Sequence, residues 1–138
     1  MASPAGWATA TTLAEAGLHP ATGGDATQLC SGDVLLEALV ACAGVTLSAV
    51  ATALGIEVSG SVHAEGDLDF RGTLGFDKLA PVGFHDIRLS FDLDTAADAE
   101  EVATLVKLTE RYCVVLQTLT SFPAVSVRVR AAEDPARI

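Results

Sequence analysis

The chain has 138 residues, enough for one domain with its own core, and half of them are hydrophobic, which excludes a disordered chain. A net charge of −10 and a pI of about 4.4 argue against partners that need clustered cations to bind them, namely nucleic acid and anionic membrane surfaces. The start, MASPAGWATATT, lacks the basic and apolar regions of a secretory signal, and three cysteines fit a reducing, cytoplasmic setting better than a disulfide framework.

Residues 7–18 carry a weak strand signal, and residues 19–31 are rich in turn formers. A stretch without a single charge follows, residues 38–56 (ALVACAGVTLSAVATALGI). Its length reaches that of a membrane span. More than half of it is Ala, Gly, Ser, Thr or Cys, however, and its flanks are Asp33, Glu37 and Glu57 rather than Lys, Arg, Trp or Tyr. It reads instead as a core helix over about residues 33–54, covered on every side. Ser31 or Gly32 can cap its start, Asp33 faces the positive end of its dipole, and Gly55 suits its end.

Strict alternation then predicts a strand, with Ile56, Val58, Val62, Ala64 and Leu68 on one face and Glu57, His63, Glu65, Asp67 and Asp69 on the other. Residues 71–83 form a loop punctuated by Gly72, Gly75, Pro81 and Gly83. A second strand alternates His85, Ile87, Leu89, Phe91 and Leu93 with Asp86, Arg88, Ser90, Asp92 and Asp94; this phase puts His85 in a core or interface. Thr95 is the expected cap of a second helix, whose buried stripe is Val102, Leu105, Val106 and Thr109. Val125, Val127 and Val129 predict a last strand. The order is an α+β fold with too few strands to cover the apolar helix, so a homodimer with sheets wrapping paired central helices is expected.

Cys42 lies inside the uncharged helix, Cys113 near the end of the second helix, and Cys30 in the loop before the first. A free cysteine often packs as a small hydrophobe. A reactive one needs cations or strong hydrogen-bond donors to lower its pKa, and no Lys or Arg precedes Arg71. No CxxC or Cys/His cluster has metal-ligand spacing, so neither a metal nor an organic cofactor is expected.

Four ordered motifs are HPATGGD (residues 19–25), CSGDVLLEALVACAGVTL (30–47), PVGFHDIRLSFDLDT (81–95) and LTERYCVVLQTL (108–119). Together they resemble the OsmC family, which groups the osmotically inducible protein OsmC with the organic hydroperoxide resistance protein Ohr. The resemblance implies one OsmC-like domain over residues 1–138 with abbreviated N-terminal strands, and an intertwined homodimer with central helices packed against antiparallel sheets. It implies a stress-defence peroxidase that reduces organic hydroperoxides, with Cys42 as peroxidatic and Cys113 as resolving cysteine. An external dithiol or lipoylated protein would be the reductant. The family's peroxidases place an arginine against the reactive cysteine and hold it with a glutamate. At the glutamate's position this chain has Gly32, and the arginine's place before Arg71 is vacant, leaving Arg111 or a partner's arginine as the candidate cation. The other reading is a weak or inactive OsmC-like dimer that binds an apolar small molecule.

Overall fold

The computed structural model describes residues 19–25 and 30–131; the weak strand expected over residues 7–18 lies outside them. Helix α1 (Ser31–Leu54) starts two residues before the expected position. Its N-cap is Cys30, whose thiol donates to Asp33 Oδ2 at 3.1 Å. Gly55 ends the helix in the left-handed region, at φ 70°, with its N–H on the carbonyls of Ala51 and Thr52. The helix is apolar on all sides, yet within one chain it is covered along a single stripe, Leu39, Ala43, Leu47 and Ala51, spaced four residues apart. Val45, on another face, is 73% exposed.

Strands β1 (Ser59–Asp67) and β2 (Asp86–Asp94) form a two-stranded antiparallel sheet, in register from Ser59 opposite Asp94 to Asp67 opposite Asp86. The alternation read from the sequence holds: Val62, Ala64, Ile87, Leu89, Phe91 and Leu93 turn toward α1. On the outer face Arg88 bonds Asp67, Glu65 and Asp86, and its hydrogen bond and charge hold the Asp67 carboxyl below the usual range. Of the core or interface position that its phase suggested, His85 does not take the first within its own chain. It is exposed just before β2, where its N–H reaches the Asp67 carbonyl at 3.1 Å.

Gly60 in β1 has φ 139°, and a Cβ there would collide with the Asp92 carbonyl oxygen of the paired strand. A backbone held in that region costs a residue other than glycine about 1–3 kcal/mol. Gly60→Ala is expected to lose at least that much in equilibrium urea unfolding; an unchanged midpoint would show that the strand relaxes around the new methyl.

Between the strands the loop contains one helical turn, α2 (Phe70–Thr73), capped by the Asp69 carboxylate on the Arg71 N–H at 3.0 Å. Helix α3 (Ala99–Tyr112) is capped by Asp98, not by Thr95. The Asp98 carboxylate accepts from the Glu101 N–H at 2.8 Å and the Glu101 side chain accepts from the Asp98 N–H at 3.1 Å, a complete capping box. The Thr95 hydroxyl is engaged elsewhere, donating to the Glu57 carbonyl at 2.7 Å and so tying the end of β2 to the entrance of β1. The expected stripe of α3 holds, with Leu105 and Thr109 buried and Val102 and Val106 half-buried.

The second helix is not continuous. It breaks at Cys113 and resumes as α4 (Val114–Thr120). Both helices and the sheet pack on the α1 stripe. One end of the core is Leu39, Ala43 and Cys113, and the other is Leu47, Ala51 and Leu105. Fully buried Leu39 and Leu105 contribute about 1.5–3 kcal/mol each.

The expected last strand is not formed. Residues 122–130 pair with no strand among the described residues, and Val125, Val127 and Val129 are each more than 80% exposed. Alternation makes a segment competent to pair, but pairing needs a free edge within reach.

Candidate functional site

The break at Cys113 assembles the site. Cys113 has φ −74° and ψ 109°, an extended rather than helical conformation. Its N–H still closes α3 on the Thr109 carbonyl at 3.0 Å, and its own carbonyl accepts the first bond of α4, from the Gln117 N–H at 2.9 Å. One residue therefore ends one helix and begins the next, and its fully buried side chain lies in the core beside Leu39 and Ala43. Cys42, half-buried on the flank of the α1 stripe, packs against the same cluster. The two candidate cysteines, 71 positions apart in sequence, thus meet as free thiols in one cluster, each acting on the other's pKa.

The first N–H groups of a helix have no partner within it. Here those of Val115 and Val114 lie near enough to the Cys42 sulfur to favour its charged form. Burial alone would push the Cys42 thiol up, but it is outweighed by the Val115 N–H, the Cys113 thiol, the Thr46 hydroxyl and the Val114 N–H, which together hold the thiol below its ordinary range. Cys113 moves the opposite way. Burial and the negative charge on Cys42 push it up, against the opposing N–H groups of Leu116 and Val115. The surroundings of two identical side chains thereby drive their pKa values in opposite directions. Thr46 lies one helical turn beyond Cys42, its hydroxyl 4.0 Å from the sulfur. A hydrogen bond of this kind contributes about 0.5–1 kcal/mol, so Thr46→Val is expected to slow alkylation of Cys42 near neutral pH by about two- to fivefold. An unchanged rate would remove Thr46 from the site.

Arg111, the candidate cation, is placed differently. It occupies the exposed last turn of α3 with its guanidinium 5.6 Å from the centre of the Tyr112 ring, and it is not among the groups that lower the Cys42 pKa within one chain. The position of the implied glutamate, Gly32, is packed by Phe84: a Cβ there would lie 3.1 Å from the ring. Phe84 also covers Gly66, where a Cβ would fall 2.5 Å from the ring edge. Cys30 is remote in role, bonded to Asp33 at the start of α1. No cluster of three or more metal-ligating side chains occurs among the described residues.

Near the thiol pair a groove of about 540 Å³ is lined by apolar Phe84, Ile87, Leu89 and Phe91 and by polar His85, Asp86, Glu110 and Thr120. It shares Leu39, Leu116 and Leu119 with the cluster around Cys113. Sequence reasoning missed the Val114 and Val115 amides and Thr46. Thr46 was legible as the polar residue four positions after Cys42 on a helix. The amides were not, because nothing in YCVVLQTL marks a helix break.

A long helix carrying one cysteine, laid on an antiparallel sheet and met by a second cysteine at a helix junction, defines a protein with a paired-thiol centre. The sequence profile of the family described as OsmC-like protein matches residues 23–128, most of the chain, and the chain belongs to that family. Among solved structures it is similar to an OsmC-like protein from Mycoplasma pneumoniae, with 20% identity and a TM-score of 0.61 over 70% of this chain. That match spans 66% of the Mycoplasma protein, just under two thirds of its length. An OsmC-like protein of unknown function from Vibrio cholerae matches with 13% identity and a TM-score of 0.54, over 75% of this chain and 69% of its own. At these identities the likeness establishes the fold. No functionally curated protein matches the chain.

Proposed function

We propose that this chain is a thiol-dependent peroxidase for organic hydroperoxides, with Cys42 as the attacking thiolate and Cys113 as the resolving thiol. The observation that supports this reading is the contact between two thiols whose surroundings drive their pKa values apart. The Cys42 thiolate attacks the distal oxygen of the O–O bond. That bond breaks, the sulfur is oxidised to sulfenic acid, and the alkoxide takes a proton and leaves as an alcohol. Cys113 then attacks the sulfenic sulfur; the hydroxyl departs as water with the Cys113 proton, and a disulfide forms. An external dithiol, or a lipoylated protein, returns both thiols. The apolar lining of the groove, Phe84, Ile87, Leu89 and Phe91, offers an alkyl or aryl substituent on the peroxide a contact that hydrogen peroxide lacks. The test is dithiol-dependent consumption of cumene hydroperoxide by purified protein; a rate no higher than that of Cys42→Ser ends this reading.

A second reading, an apolar-ligand-binding dimer without turnover, draws on the absence of a cation among the described residues of one chain that act on Cys42. Ligand binding in the groove without peroxide consumption would favour it.

The functional unit is proposed to be a homodimer. The exposed face of α1 carries Ala38, Ala41, Val45 and Ala49 at helical spacing, and residues 122–130 offer an unpaired strand pattern. By length and composition α1 would also suffice to cross a bilayer, but its buried stripe and family membership favour a second copy as its cover. Free thiols fit a cytoplasmic location.

A further inference from the structure

In an unbroken helix the Val114 N–H would bond the Glu110 carbonyl, four residues earlier. Here that carbonyl is occupied: the Gln117 side-chain amide donates to it at 2.8 Å, across the break. The Val114 N–H does not reach that carbonyl, and Cys113 has an extended ψ of 109°. Gln117 is anchored at both ends, since its backbone N–H also bonds the Cys113 carbonyl at 2.9 Å. One residue thus bridges the α3 terminus and the first turn of α4, while Leu116 and Leu119, on either side of it in sequence, pack into the cluster around Cys113.

We propose that Gln117 is the positioning residue of the thiol pair: by holding the Glu110 carbonyl it keeps the helix break open and the Val114 and Val115 amides turned toward the Cys42 sulfur. It touches neither thiol with its side-chain amide and acts through the backbone alone. The proposal rests on reading Cys42 as the reacting group, but its test needs no hydroperoxide.

The experiment is the pH profile of Cys42 alkylation by iodoacetamide, followed by mass spectrometry of the Cys42 peptide so that Cys30 and Cys113 do not interfere. Gln117→Met keeps the length of the side chain and removes the donor. Its half-maximal pH is expected to rise by about half a unit, the equivalent of one hydrogen bond, with the limiting rate at high pH unchanged. Gln117→Glu, ionised and unable to donate, is expected to move the same way. A merely structural residue would lower the melting temperature and leave the profile of the folded protein where it was. Profiles within 0.1 unit (roughly the resolution of such curves) in either folded variant would overturn the proposal, as would loss of the fold in both. If the unaltered protein consumes no hydroperoxide, the peroxidase reading falls and the comparison of profiles still stands.

Discussion

Cys42→Ser is expected to abolish hydroperoxide consumption, lowering the rate at least about a thousandfold, because a hydroxyl in the same place is not ionised near neutral pH. Cys113→Ser should behave differently. It retains the thiolate, so one equivalent of hydroperoxide is still reduced, but the sulfenic acid has no neighbour to condense with. A sulfenic acid trapped by dimedone in Cys113→Ser, against a disulfide in the parent protein, would establish the order of the two cysteines. Equal loss in both variants, with no trapped intermediate, would refute that division of roles. Because Cys42 is held below the ordinary thiol range, the rate should reach half its maximum at a lower pH than a free cysteine would require, and rise with pH as the thiolate forms. The same sign governs stability. A thiol depressed in the folded state favours folding more as pH rises past its folded pKa, and Cys113, pushed up, opposes that trend at higher pH.

The second large effect concerns the face of α1 that one chain leaves bare. The protein is expected to sediment at twice its 14.1 kDa chain mass, with α1 helices from two copies in contact. Val45, 73% exposed within one chain, lies midway along that face. Val45→Asp would bury a carboxylate against an apolar partner, at a cost of about 3 kcal/mol or more, and a two-fold axis applies it twice. The variant should dissociate at micromolar concentration or fail to fold without its partner. A parent protein of monomer mass, or a variant that remains dimeric, would contradict the arrangement. Stability of such a dimer depends on protein concentration, which a dilution series of melting temperatures would reveal.

What the sequence discloses and what it withholds divide along the range of the interactions. The C-terminal end of α1 was legible because Gly55 acts locally, its start was missed because Cys30, not Ser31 or Gly32, is the cap, and β1 and β2 were legible because alternation is a property of each strand by itself. The cap of α3 was half legible. Thr95 and Asp98 both precede an acidic residue by three positions, and only the tertiary bond from Thr95 to Glu57 decides between them. The break at Cys113 was not legible, since no glycine or proline marks it; it is held by hydrogen bonds and by the packing of Leu116 and Leu119. The strand expected at Val125, Val127 and Val129 had the right pattern, and a pattern does not supply the edge it must pair with. For the site, the resemblance singled out both cysteines, and only the folded chain showed backbone amides where a cation was sought.

Phe84 crowds position 32, where the family resemblance places an acidic residue. Its ring is wedged between two glycines, so withdrawing from a new side chain at Gly32 drives it into Gly66, and the reverse. A glutamate at 32 therefore asks Phe84 to shift or to be made smaller, and a smaller residue at 84 leaves a void beside both glycines until 32 is filled. Each change is less favourable alone than with the other. Substitutions at 32 and 84 should accordingly be strongly non-additive, and grafting the arginine–glutamate arrangement onto this chain would need Phe84 changed in the same step.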